Sequence, residues 1–120
     1  MTERRLILEM GTGNDLHGGD YTKAAVRAVQ DAMHHSYLPL FRSLDLDPDT
    51  MIVNVTVGVQ QPEKVDGETV RRQFPYGRVS VRVVKGGLDV PGDGGAVVVA
   101  SAAVEARLDI PDGRFQLSGN

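Results

Sequence analysis

Hydrophobic residues recur with a period of two in four separate stretches of the chain, and each stretch predicts a strand. The clearest is Met51, Val53, Val55, Val57 and Val59, alternating with Ile52, Asn54, Thr56, Gly58 and Gln60. One face of that strand is dry and the other mixed. From Arg4 to Met10, Leu6, Leu8 and Met10 oppose Ile7 and Glu9, and the strand is expected to stop at the glycines that follow. A third strand sets Val79, Val81 and Val83 against Arg78, Ser80 and Arg82. A fourth sets Val98, Ala100, Ala102, Val104, Ala106 and Leu108 against Val97, Val99, Ser101, Ala103, Glu105 and Arg107.

The period changes to three and four at Ala25, Val26, Val29, Ala32 and Met33, which predicts a helix from about Tyr21 to about Ser36 with Asp20 as its N-cap. Pro39 should end or kink it. Leu40, Phe41, Leu44 and Leu46 form an apolar extension, with a short helical turn expected before Asp47-Pro48-Asp49. A second, short helix is expected near Asp66, where Val65 and Val70 are spaced to staple across an Asp cap.

The order strand, helix, strand, helix, strand, strand predicts an α+β domain over residues 1–110: a mixed four-stranded sheet with both helices on its apolar face. Residues 111–120 read as a polar tail. The other sheet face combines Ile52, Val97 and Val99 with Asn54, Thr56, Arg82, Ser101 and Arg107, too apolar for open water and too polar for a core. A homo-oligomer, with a trimer as its expected form, buries such a face between subunits.

With 120 residues and 41% hydrophobic content, one core is expected and a second is not. The absence of cysteine rules out disulfides, thiolate metal sites and a cysteine nucleophile. Met1 to Arg5 lacks the apolar region of a signal peptide and no apolar run reaches the roughly 20 residues that span a bilayer, so a cytoplasmic location without membrane contact is expected. Asn54-Val55-Thr56 is then a chance glycosylation sequon inside a strand. The net charge of -3, the scattered Lys and Arg residues and the lack of Trp argue against a nucleic-acid partner.

Candidate chemistry centres on Gly11-Thr12-Gly13-Asn14-Asp15-Leu16-His17-Gly18-Gly19-Asp20, a stretch expected to form a loop. Gly11 and Gly13 make only a Gly-x-Gly, without a dinucleotide fingerprint or phosphate loop. They permit a sharp strand-to-helix turn. Alternatively, with Gly18 and Asp20, the loop amides and the helix N-terminus offer a site for an anion or oxyanion.

Asp15, His17 and Asp20 fall within six residues, which suits His17 as a general acid or base oriented by either carboxylate. A purely structural hydrogen-bonded loop is the alternative. A metal would need a third ligand from a rigid element, and His34-His35 lies well along the helix, so no metal and no cofactor is expected. The His pair suits the helix C-terminal dipole instead. Lys23 occupies the first helical turn, where a cation opposes the dipole, so it is a candidate to face a ligand. Lys85 and Ser101 become neighbours if the third and fourth strands pair as a hairpin. Arg82 and Arg107 require carboxylate partners or an anionic ligand if buried, and Glu105 is placed to serve one of them.

Two resemblances extend these readings. The segment Gly11 to Gly18, followed by Asp20 and Thr22-Lys23-Ala24-Ala25, resembles the GxGxDxHG signature of a small family of uncharacterised proteins. The match continues through Pro62-Glu63-Lys64-Val65, Phe74-Pro75-Tyr76-Gly77 and Lys85-Gly86-Gly87-Leu88. The element order is similar to the chorismate mutase-like domain of trimeric small-molecule enzymes. Cyanuric acid hydrolases and barbiturases, which open cyclic amides with serine and lysine pairs, are built from domains of this kind. That resemblance implies a hydrolase or deaminase acting on a small cyclic amide or imine at a subunit interface, with Ser101 as the serine candidate; the reading of the residues adds Asp15, His17, Lys23 and Lys85 as candidate catalytic groups. Ser101 is followed by Ala102-Ala103, where such enzymes carry glycines. The rival reading is a non-catalytic oligomeric module that binds a metabolite or anion.

Overall fold

A computed structural model describes residues 2–34, 50–75, 77–93 and 95–110. In chain order the elements are β1 (Thr2–Asp15), α1 (Tyr21–Met33), β2 (Ile52–Val59), a 3-10 turn (Pro62–Lys64), α2 (Gly67–Arg71), β3 (Arg78–Lys85), β4 (Leu88–Val90) and β5 (Val97–Ile110). The expected α+β class holds, with a mixed sheet and two helices. The expected turn after Pro39, the tail from Pro111 and His35 lie outside the described residues.

The strand order is β1-β5-β2-β3, with β4 also paired to β5. β5 runs antiparallel to both β1 and β2, and β2 and β3 are parallel, joined by the crossover through α2. One expectation changes here. The sheet has five strands, because β4 pairs with the start of β5 where β2 has already ended. The last two long strands form no hairpin. β5 is instead inserted between β1 and β2, where its small alternate residues Ala100, Ala102 and Ala106 pack beneath α1 with their side chains fully or almost fully buried.

The covered face holds Met51, Val53, Val55, Val57 and Val59 of the β2 region together with Val98, Val104 and Leu108, all buried against Ala24, Ala25, Ala28, Val29 and Ala32 of α1. Val26 and Met33 pack at its margin. Each helix begins at the expected residue. The Asp20 side chain accepts the Lys23 N–H, and the Asp66 side chain accepts the Glu68 N–H.

β1 continues five residues beyond the expected stop at Met10. Gly11 and Gly13 are strand residues rather than turn residues, and neither has a positive φ. A Cβ on Gly11 would lie 2.3 Å from the Ala28 carbonyl oxygen, and one on Gly13 would lie 2.3 Å from the Ala28 nitrogen. The Gly-x-Gly therefore lets α1 rest its backbone directly on β1. The reversal into the helix is made later by Gly18 and Gly19, at φ 94 and 63.

Candidate functional site

At the carboxyl end of β1, Asp15 is the buried charged residue among the described residues, 2% exposed. Its Oδ2 accepts the Asp20 N–H at 2.8 Å. That backbone hydrogen bond is the main reason its carboxyl sits below the usual carboxylate range; Lys23, the His17 N–H and Arg27 add to the effect against the opposing cost of burial. Lys23 Nζ and Arg27 Nη1 stand 3.9 and 4.0 Å from Asp15 Oδ1. Arg27 also donates to the Asn14 carbonyl at 2.6 Å.

This geometry gives the loop amides internal partners. The amides of His17 and Asp20 serve Asp15, and that of Lys23 serves Asp20, so side chains of the chain itself occupy the donors an anion would use at the start of α1. The position of Lys23 follows, since two carboxylates beside the first turn offset its conflict with the helix dipole. The His17 side chain is exposed at the loop surface, as is Asp20. Among the described residues no group of three or more His, Cys, Asp or Glu side chains is arranged to hold a metal.

Behind this loop lies a network that sequence reasoning missed. The hydroxyl of the buried Tyr21 donates to Asp89 Oδ2 and accepts from Gln61 Nε2 at 2.8 Å. The bond to Asp89 raises the Tyr21 hydroxyl's pKa, keeping it a neutral donor. Asp15 and Asp89 both pair with Val98, from opposite sides of β5. Gln60 Nε2 donates to the carbonyls of Gly86 and Gly87, each at 3.1 Å. Gln60 thus holds the β3 to β4 connection, and Gln61 reaches Asp89 of β4 through the Tyr21 hydroxyl. Only the three-dimensional path of that connection brings Asp89 to Tyr21, which is why no spacing in the sequence announces it.

A concavity of about 610 Å³ lies across the uncovered face of the sheet. Its floor is a cross-strand row of small side chains, Thr12, Ser101 and Gly58, ending at Val84. The next row, Met10, Ala103 and Thr56, widens that floor. Gly86 and Gly87 form the wall beyond Gly58, and Gly87, at φ 60, requires glycine. A Cβ on Gly58 would meet the Gly86 Cα at 3.3 Å, and one on Gly87 would meet the Val99 carbonyl oxygen at 2.1 Å. Lys85 lines the trough at its β3 end and Asp31 at its β1 end, where Asp31 Oδ2 accepts the Thr12 N–H at 3.0 Å.

Of the residues singled out from sequence, Ser101 and Lys85 therefore share this trough, together with Gly11, whereas Asp15, His17, Lys23, Gly18 and Asp20 belong to the loop beyond it. The hairpin that would make Ser101 and Lys85 neighbours is absent: Ser101 pairs with Gly58 and Lys85 with Val59, so β2 separates them. Arg107 is paired as expected, its Nε 2.7 Å from Glu105 Oε1, which also accepts from Asn54. Arg82 is exposed, beside Thr56 in the register.

Among the described residues the exposed large hydrophobics are Leu8, Met10, Leu16, Leu88 and Val90. Leu8 pairs with Glu105 and Met10 with Ala103, and Leu88 and Val90 pair with Val99 and Val97. These four all lie on the uncovered face. No described helix is long and apolar enough to cross a membrane.

Comparison with known proteins gives two matches. The model of a conserved hypothetical protein family, Lin0512_fam, matches residues 5–106. A crystal structure of an FtsZ-like protein of unknown function from Nostoc punctiforme is 38% identical, covers 92% of this chain and 99% of that one, and superposes with a TM-score of 0.80. No curated protein matches the sequence.

Proposed function

Within the Lin0512 family of conserved hypothetical proteins, to which this chain belongs, we propose that it is a metabolite-binding protein that works as a homo-oligomer and holds a small polar ligand in the trough of its uncovered sheet face. The observation that carries this reading is the trough itself. About 610 Å³ falls within the usual range for small-molecule sites, and a floor of Gly58, Ser101 and Thr12 leaves room for a ligand to lie against the sheet. Thr12, Thr56 and Ser101 supply hydroxyls that both donate and accept.

Assembly is part of the proposal. Leu8, Met10, Leu88 and Val90 share one face, and a second copy covering it removes them from water while enclosing the trough. A threefold, chorismate mutase-like arrangement is the form we propose for that assembly, inside a cell rather than on a membrane.

A catalytic version has one observation in its favour, the presence of Ser101 and Lys85 in the same trough. Hydrolysis of a cyclic amide or imine needs the serine within hydrogen-bond reach of its base, and β2 lies between these two residues. Binding needs only the hydroxyls and the charges at the rim, so binding stands first.

A thermal-shift screen of polar metabolites tests the reading, run in parallel on the wild type and on Ala103→Phe, which fills the trough from its floor. The expected hits raise the Tm of the wild type and leave Ala103→Phe unmoved. Hits that stabilise both proteins equally would place the ligand elsewhere and overturn the proposal.

A further inference from the structure

The two ends of the trough differ in charge. At the β1 end stands the Asp31 carboxylate, held by the Thr12 N–H through one oxygen and with its second oxygen free of any partner among the described residues. At the β3 end stand Lys85, which lines the trough, and Arg82, exposed beside Thr56 in the register; neither forms an ion pair among the described residues. Between the ends the floor is uncharged: the hydroxyls of Thr12, Ser101 and Thr56, the backbone of Gly58, and the apolar Met10, Ala103 and Val84.

We infer that the ligand of this trough is a small zwitterion with its charges several ångströms apart, of the dipeptide type, its ammonium at Asp31 and its carboxylate at Lys85 and Arg82. This deepens the binding proposal and rests on it. The trough crosses four strands, so its outer strands stand about 14 Å apart, and the reach of the Lys85 and Arg82 side chains narrows the gap between the charged groups. A compact α-amino acid is too short to meet both ends. An extended dipeptide spans more of the gap and places its amide over the hydroxyl row, where Thr12, Ser101 and Thr56 can serve both its N–H and its carbonyl. A ligand carrying a single charge of either sign leaves one end of the trough unmatched.

Alanyl-alanine, its N-acetylated form and its C-terminal amide share one backbone and carry respectively both charges, the negative charge alone and the positive charge alone. Each is titrated into the protein while the backbone amide signals of Gly58, Ser101 and Ala103 are followed by NMR. The zwitterion is expected to shift these signals at concentrations about tenfold or more below either capped form, the usual magnitude for losing a hydrogen bond to a charged group. Asp31→Asn, which keeps an acceptor for the Thr12 N–H, is expected to erase the preference over the acetylated form. Lys85→Gln combined with Arg82→Gln is expected to erase the preference over the amide. Equal binding of all three peptides at these signals overturns the zwitterion and leaves the trough as a binding site. Absence of any shift overturns it too, while the trough itself stands or falls on the Ala103→Phe screen.

Discussion

Asp15 and Asp20 close the loop between β1 and α1 on itself: Asp15 Oδ2 accepts the Asp20 N–H at 2.8 Å, and the Asp20 side chain in turn accepts the Lys23 N–H at 3.0 Å. The first carboxylate fixes the loop and the second starts the helix. The Asp20 N–H favours the ionised form of the buried Asp15, and this makes the fold sensitive to acid.

The Asp15 carboxyl is held below its ordinary value chiefly by the Asp20 N–H, so its stabilising contribution is complete above the unfolded value of about 3.9 and is lost as pH falls through the lower folded value. The Tm of the wild type, followed from about pH 6 into the acid range, should fall below about pH 4. Asp15→Asn, whose amide oxygen still accepts the Asp20 N–H, should start lower and show a flatter acid limb. An unchanged acid limb would mean that other carboxylates govern it.

Gly11→Ala should destabilise the protein by about 1–3 kcal/mol, because a Cβ there would lie 2.3 Å from the Ala28 carbonyl oxygen and α1 must lift from β1. Gly67→Ala is the matched control. It stands in the first turn of α2 with nothing within 4 Å of a Cβ, and should be neutral or stabilising by about 0.4–1 kcal/mol. Urea denaturation of both variants separates packing from loss of glycine as such.

Tyr21→Phe removes the hydroxyl that partners Asp89 Oδ2 and leaves Asp89 with neither oxygen satisfied among the described residues, where Oδ1 is buried without a partner. The Tm should fall. Tyr21→Phe combined with Asp89→Leu should lose less than the sum of the single changes, the mark of a direct pair in a double-mutant cycle. Strict additivity would separate the two residues energetically.

Light scattering should find the wild type larger than one chain at micromolar concentration. Met10→Lys with Leu88→Lys, on two strands of the uncovered face, should shift it to monomer without loss of secondary structure. Wild type that is already monomeric would remove the assembly from the proposal.

Much of the fold was legible in the sequence because its signals are local. Alternation at Met51 to Val59 and at Val97 to Leu108 marks strands wherever one face is buried, and the Asp20 and Asp66 caps mark where helices begin, since a cap bonds an amide two or three residues ahead. The error at Gly11 has a physical cause as well. Glycine suits a turn, and it also suits a strand against which a helix backbone rests; only the position of Ala28 distinguishes them.

Strand order is not a local property. The insertion of β5 between β1 and β2 depends on which edges remain to be paired once α1 and α2 cover one face, and it separates Ser101 from Lys85 while aligning Thr12, Ser101, Gly58 and Val84 across four strands. The sequence alone determined that the uncovered face would be mixed in character and that Ser101, Arg82 and Arg107 would lie on it. The tertiary structure decided that small residues from four strands would fall into one row there, and that Tyr21 would meet Asp89, because cross-strand register and the path of the glycine connection at Gly86 and Gly87 are set by pairing between segments far apart in the chain.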